Sequence, residues 1–224
     1  MCRIAHCTKP SAGGRTGAAW ATLCNTHRRR ERRHGDPLQN PILVSHLAQY
    51  LRSLDKRQKA KPNAAIWGML VARWGSLIDR CHGVMTTYAA GTPTIRWEQQ
   101  AAAELIRVAD EAKADDVWRI AAAMFMLREY EPRRFASDNG FLVQLGRRVR
   151  HLASANRGSF IDPSTGGVKF VYRDVNQRVA VLIGQMLAEA FGVAGLKFAE
   201  QDQQEVEQRE AERKAFHRAL NEVA

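Results

Sequence analysis

Only four of the 224 residues are cysteine and only 8% are aromatic. A disulfide framework would need an oxidising compartment, and nothing at the N-terminus reads as a secretory signal peptide. The longest apolar stretch, from Ala64 to Tyr88, is interrupted by Arg73, Asp79, Arg80 and His82, which excludes it as a membrane span. Catalytic signatures are missing too: there is no GxxxxGK[ST] loop to cradle a nucleotide, no GxGxxG after a strand, no HExxH helix and no GxSxG elbow. The acidic residues are scattered over helix-surface positions instead of being gathered around a metal. The one local pair, Asp79 with His82, stands a turn apart on a helix, where a structural role is the commoner one. No internal repeat and no sustained heptad is present. The expectation is a cytoplasmic protein without a catalytic constellation and without a membrane partner.

Acidic charge is also short. Thirty-four Lys and Arg face 23 Asp and Glu, a net charge of +11. The excess is local: residues 1–60 hold twelve basic against three acidic side chains, residues 61–195 hold seventeen against thirteen, and residues 196–224 hold five against seven. Such a concentrated field attracts phosphate and makes affinity depend on salt. A solvated basic face that only keeps the protein soluble, or that binds an acidic protein, is the plainer alternative.

Three of the four cysteines and one histidine stand where the charge is densest. Cys2, Cys7, Cys24 and His27 follow the pattern C-x4-C, sixteen residues, C-x2-H, four ligands of the kind that tetrahedral structural zinc takes. Pro10, Gly13, Gly14 and Gly17 between the pairs suit a turn or hairpin, and the three-residue step from Cys24 to His27 puts both on one face of a helix. A segment this short buries little apolar surface, so zinc would supply much of its folding free energy, on the order of 10 kcal/mol or more. Buried or disulfide-paired thiols are the alternative, and His6 is a possible substitute ligand. Cys81 stands alone beside an apolar stretch and reads as a core residue.

From Leu23 to Pro37 the chain reads LCNTHRRRERRHGDP. This segment resembles the treble-clef-like zinc finger of phage and mobile-element DNA-binding proteins, in which a C-x2-H pair runs into a basic stretch closing on Gly-Asp-Pro. Some members of that group are HNH endonucleases. The resemblance covers about residues 1–40 and implies a knuckle, a hairpin and a helix whose first turn carries the last two ligands. The chain lacks a downstream His-His dyad followed by a spaced Asn and His, so nuclease activity is not implied. Arg28, Arg29, Arg30, Arg32, Arg33 and His34 are the candidate nucleic-acid contacts of this part, since arginines pair with phosphates and read guanine edges.

The remainder reads as mainly α. Gly35-Asp36-Pro37 ends the finger helix. Residues 41–62 read as a helix and a basic linker, DKRQKAKP, with a solvated helix end as the alternative. Residues 63–195 read as an α-helical domain. Within it Thr94 is a candidate N-cap, a helix from about Asp115 to Tyr130 offers a broad buried face, and Ser137 caps a helix reaching about Ser154. Phe160 and Ile161, the turn DPSTGG and the alternation from Val168 to Tyr172 then predict a hairpin. Helix plus hairpin over residues 137–173 matches a winged-helix element, with Arg147, Arg148, Arg150, Arg157 and Lys169 as further nucleic-acid contacts. The alternative is an ordinary hairpin on a helical body. An apolar helix from Asp174 to Phe191 should end at Gly192, wide enough for the core or a homodimer seam, and residues 196–224 form a charged helix whose Phe216, Leu220 and Val223 could dock. The function expected is zinc-containing DNA binding, in transcription, replication or packaging. Binding of a host protein complex through the basic patch, or a divergent nuclease, are the alternatives.

Overall fold

The computed structural model describes residues 1–12 and 22–223, with the side chains of 155, 157, 170, 172, 216, 217 and 219–223 left out of the description. The expected hairpin between the ligand pairs therefore falls mostly outside it, as do the side chains of Phe216, Leu220 and Val223. Among the described residues the chain is mainly α, as its periodicity predicts. Seven helices run in order: α1 (Asn25–His34), α2 (Val44–Ala60), α3 (Ala65–Ala89), α4 (Arg96–Glu111), α5 (Ala114–Tyr130), α6 (Asp138–Arg150) and α7 (Gln177–Val223). One antiparallel hairpin, β1 (Arg157–Ile161) with β2 (Val168–Tyr172), separates α6 from α7. Arg157 pairs with Tyr172 and Ile161 with Val168, so DPSTGG is the turn that the sequence predicts.

The core lies around α5. Every residue from Val117 to Leu127 except Arg119 is buried, all the way round the helix, which is the signature of a helix enclosed by others. Against it pack α2 through Leu47 and Leu54, α3 through Trp67, Leu70 and Trp74, and α7 through Val179, Ile183, Leu187, Phe191 and Phe198 at helical spacing. Trp67 stacks between Trp118 and Phe198 with ring centroids 5.4 and 5.7 Å apart. Cys81 is fully buried among these side chains, and burial pushes its thiol up to about 11, as befits a core residue.

Four expectations are corrected. The basic tail of α2 is no linker: it stays helical to Ala60, and Arg57 is clasped by Asp202 and by Glu205 at 2.8 Å. Thr94 does not cap a backbone amide; its Oγ1 accepts from Gln99 Nε2 at 2.6 Å, and Ile95 occupies the cap position of α4. The helix capped by Ser137, whose Oγ accepts from the Gly140 amide, stops at Arg150 and not at Ser154. Finally, α7 does not end at Gly192 but continues to Val223. Gly192 and Gly195 serve close approach: a Cβ on Gly195 would lie 2.5 Å from Phe125 Cβ. One stretch of α7 is apolar enough to cross a membrane by length and composition, but half of it is buried against the other helices, as a core helix is.

Candidate metal centre

Two short segments meet at the N-terminal side of α1. The Cys2 amide donates to the Lys9 carbonyl at 3.0 Å, the Arg3 amide to Thr22 at 2.7 Å, and the Cys7 amide closes a tight turn onto Ile4 at 3.1 Å. His6 has φ +62°, a left-handed turn conformation, and its exposed side chain stands outside the ligand cluster. Cys24 is the N-cap of α1 and His27 lies in its first turn, as the three-residue spacing predicts. The result is a cluster in which the Sγ atoms of Cys2, Cys7 and Cys24 and a ring nitrogen of His27 all lie within 4.8 Å of one another.

The shortest spacings inside the cluster are close to those of a coordination shell. His27 Nδ1 is 3.3 Å from both Cys2 Sγ and Cys24 Sγ, and Cys7 Sγ is 3.9 Å from Cys24 Sγ. A tetrahedron with metal–sulfur bonds of about 2.3 Å and a metal–nitrogen bond of about 2.0 Å has edges of roughly 3.5–3.8 Å. The four residues could therefore bind a metal ion. All four cysteines are free thiols, so the disulfide alternative is not realised. Desolvation raises the Cys2 thiol, but donors from the Ile4 and Cys24 backbones, with His27 and Cys7 beside it, outweigh this and bring it down to about 6. Cys7 moves the other way: a backbone hydrogen bond at Lys9 lowers it, but desolvation and the neighbouring Cys2 and Cys24 sulfurs raise it overall. A Cys2 thiol that ionises readily beside a Cys7 that does not is a pair from which a bound cation would displace the remaining proton.

The far end of α1 is fixed to the helical body. Gly35, with φ +85°, closes the helix by donating to Glu31 at 2.8 Å, and a Cβ there would strike Asn139 and Val143 of α6. Asn139 Nδ2 donates to the Gly35 carbonyl at 2.8 Å, and Arg147 Nη1 to the Arg33 carbonyl at 2.9 Å. A guanidinium at a helix C-terminus also suits the sign of the helix dipole. Gln144 bridges two segments, donating to His34 Nδ1 at 3.0 Å and accepting from the Ile42 amide at 3.0 Å. Buried Gln39 likewise accepts from Ala136 and donates to Arg134. Neither glutamine stands out in the sequence, because their partners lie 95 to 110 positions away.

Between these anchors α1 is two-faced. Arg28, Arg29 and Arg32 are exposed and share one ridge at three- and four-residue spacing, with Arg30 half-buried beside them. Among the described residues none of these four has an ion-pair partner. Of the other expected contacts, His34, Arg147 and Arg150 are turned into the structure. His34 turns inward; burial, then the guanidiniums of Arg147 and Arg33, push its pKa down to about 4, so it adds no charge. Arg33 pairs with Asp174 at 3.1 Å. Arg147 and Arg150 are buried, Arg147 holding Asp174 at 2.8 Å and Arg150 holding Glu104 at 2.7 Å. Because both faces of α6 are covered, by α1, α4, α5 and α7, it is not a groove-reading helix. Half-buried Arg148 contacts His151 at 3.0 Å, and exposed Lys169 pairs with Asp162 across the hairpin turn. The Arg157 side chain lies outside the described residues.

No protein-family model, no curated protein and no solved structure matches this chain.

Proposed function

We propose that this chain is a zinc-containing DNA-binding protein of a phage or other mobile element, with α1 as its main contact. The observation that supports the reading is the pairing of a four-ligand cluster with a ridge of exposed arginines that no carboxylate neutralises among the described residues. Three thiol ligands and one imidazole suit Zn²⁺ better than the harder cations, which take oxygen. Zinc at Cys2, Cys7, Cys24 and His27 would order the first turn of α1, while Arg147, Asn139 and Gln144 hold its last turn. The ridge between them is thus presented in a fixed direction, and rigid presentation lowers the entropy cost of docking on a duplex. The test is metal content together with DNA affinity as a function of salt. Replacing Arg28, Arg29 and Arg32 by alanine should weaken binding strongly and shallow the salt slope by about one unit for each phosphate that is no longer neutralised. Unchanged affinity in that variant would sink the reading.

The hairpin supports a second reading. Phe160, Ile161, Val168 and Val171 are 46, 68, 60 and 53% exposed, an apolar hairpin surface of the kind that docks on protein. In that reading the chain seats on a host protein complex and its arginines occupy a nucleic-acid channel there. Duplex binding by the isolated protein at physiological salt counts against it.

A further inference from the structure

A cleft of about 490 Å³ opens between α4 and the segment that leads from β2 into α7. Its size falls within the range of small-ligand sites. Arg96, Trp97 and Arg107 line it from α4, and Arg173 and Asp174 line it from the connecting segment. The two carboxylates of its wall are already neutralised. Glu104 is held by Arg107 at 2.8 Å and Arg150 at 2.7 Å, and Asp174 by Arg147 at 2.8 Å and Arg33 at 3.1 Å. Arg96, Arg173 and Arg178 are exposed and, among the described residues, have no ion-pair partner. The guanidiniums of Arg96 and Arg178 lie over the half-buried Trp97 ring, 5.9 and 5.8 Å from its centroid. The cleft therefore combines an indole, guanidiniums over its ring from Arg96 of the lining and Arg178 outside it, and a net positive wall.

Its position connects it to α1. Asp174, in the cleft wall, holds Arg33 in the last turn of α1. The last turn of α1 therefore adjoins the cleft wall. We propose that the cleft takes an unpaired nucleotide of the nucleic acid that α1 engages, its base against Trp97 and its phosphate between Arg96 and Arg173; this rests on the DNA-binding reading. The indole decides the ligand class. Phosphates alone need only the arginines, and a duplex keeps its base faces stacked inside, whereas an unpaired base offers a face to an aromatic ring or a guanidinium plane.

The experiment uses the full chain, zinc-loaded, and measures affinity by fluorescence anisotropy for a blunt duplex, the same duplex with a short oligothymidine tail, and the oligothymidine alone. The tailed duplex should bind about tenfold more tightly than the blunt one, the scale of one base stacked on an aromatic. Trp97→Leu, and separately Arg96→Ala with Arg173→Ala, should abolish that preference and leave blunt-duplex affinity unchanged. The arginine pair is exposed, so it keeps the test decisive if Trp97→Leu fails to fold. Replacing Arg28, Arg29 and Arg32 should weaken both duplexes together. Equal wild-type affinity for the two duplexes, or a tail preference that survives both cleft variants, overturns the proposal. If duplex binding by α1 itself fails, the oligothymidine still reads the cleft: binding that disappears in the cleft variants upholds it, and absent or unaffected binding overturns it.

Discussion

Arg150 and Glu104 form an ion pair almost wholly withdrawn from water, with 1 and 8% of their side chains exposed. Asn156 completes it, accepting from Arg150 Nη2 at 3.3 Å and donating to the Arg150 carbonyl at 3.1 Å. Replacing such a pair with apolar groups can be nearly neutral, but removing one partner strands a buried charge. Glu104→Ala should therefore lower stability by about 3–5 kcal/mol in urea denaturation, while Arg107→Ala, which removes only the outer and more exposed partner, should cost about 1 kcal/mol or less. Comparable losses in the two variants would show that the inner pair is not special. His34 makes a second residue-scale prediction, in pH. Its pKa is pushed from the ordinary 6.5 to about 4, first by burial, then by Arg147 and Arg33 against a weaker opposing pull from Asp174 and a further push from Arg30. Above 6.5 the imidazole is neutral in both states. As pH falls from there toward about 4 the unfolded chain takes up a proton that the folded one refuses, so stability is lost across that window. His34→Asn keeps an acceptor for Gln144 but cannot titrate. At saturating metal, the stability difference between wild type and variant should change with pH there with a slope approaching one proton, and a constant difference would contradict the assignment.

At the scale of elements, glycine has opposite consequences in two helices. Gly75 and Gly83 of α3 face open space, so alanine at either should stabilise by about 1 kcal/mol through helix propensity alone. Gly184 and Gly195 of α7 lie against the Leu142 backbone and the Phe125 side chain. Alanine there should destabilise by about 1–3 kcal/mol, because the strain of overpacking exceeds the propensity gain. Denaturation midpoints of the four variants check the signs, and stabilisation at Gly195 would mean that α7 can move away from α5. The same glycines show where the sequence is silent. Glycine read locally is a stop signal, so the pattern predicts an end of α7 at Gly192, and only the packing against Phe125, far away in the chain, explains why the helix continues. Local patterns reveal α5, the Ser137 cap and the DPSTGG hairpin, because those signals lie within a turn or two of each other. The ligand set is legible for the same reason on one side, the C-x2-H step. The fate of the arginines on α6 is not. Arg147 and Arg150 meet carboxylates 27 and 46 positions away, and a pattern that sends every charge outward cannot anticipate them. Their burial leaves α6 as the floor that carries α1, and the exposed basic surface shifts to α1 and the Trp97 cleft.

The molecule as a whole has two cores of very unequal size. Among the described residues thirty-four buried ones from Ile42 to Ala199 form the large one, whereas only Cys2, Leu23 and Cys24 are buried at the N-terminal side, with Ile4 and Cys7 packed against them. Three buried side chains cannot offset the conformational entropy of the segment they belong to, at about 1–2 kcal/mol per residue. Nor can α1 hold itself: it buries no residue, its N-cap side chain caps no backbone amide, and no acidic residue stands in its first turn. On the proposed reading metal coordination supplies the order at that end, while Arg147, Asn139 and Gln144 hold the other. Removing the metal with a chelator should therefore melt the molecule in part. Hydrogen exchange at the amides of residues 25–30 should become fast, whereas the amides of α5, enclosed by the large core, keep their protection. Far-UV circular dichroism should fall by no more than the ten residues of α1 contribute, and the thermal transition of the helical body should hardly move. Duplex affinity should drop toward that of the Arg28, Arg29 and Arg32 variant, because the same charges remain but are no longer presented along one ridge. Cooperative unfolding of the whole chain on chelation would show that the two cores are one unit, and full DNA affinity in the metal-free protein would show that the ridge needs no brace.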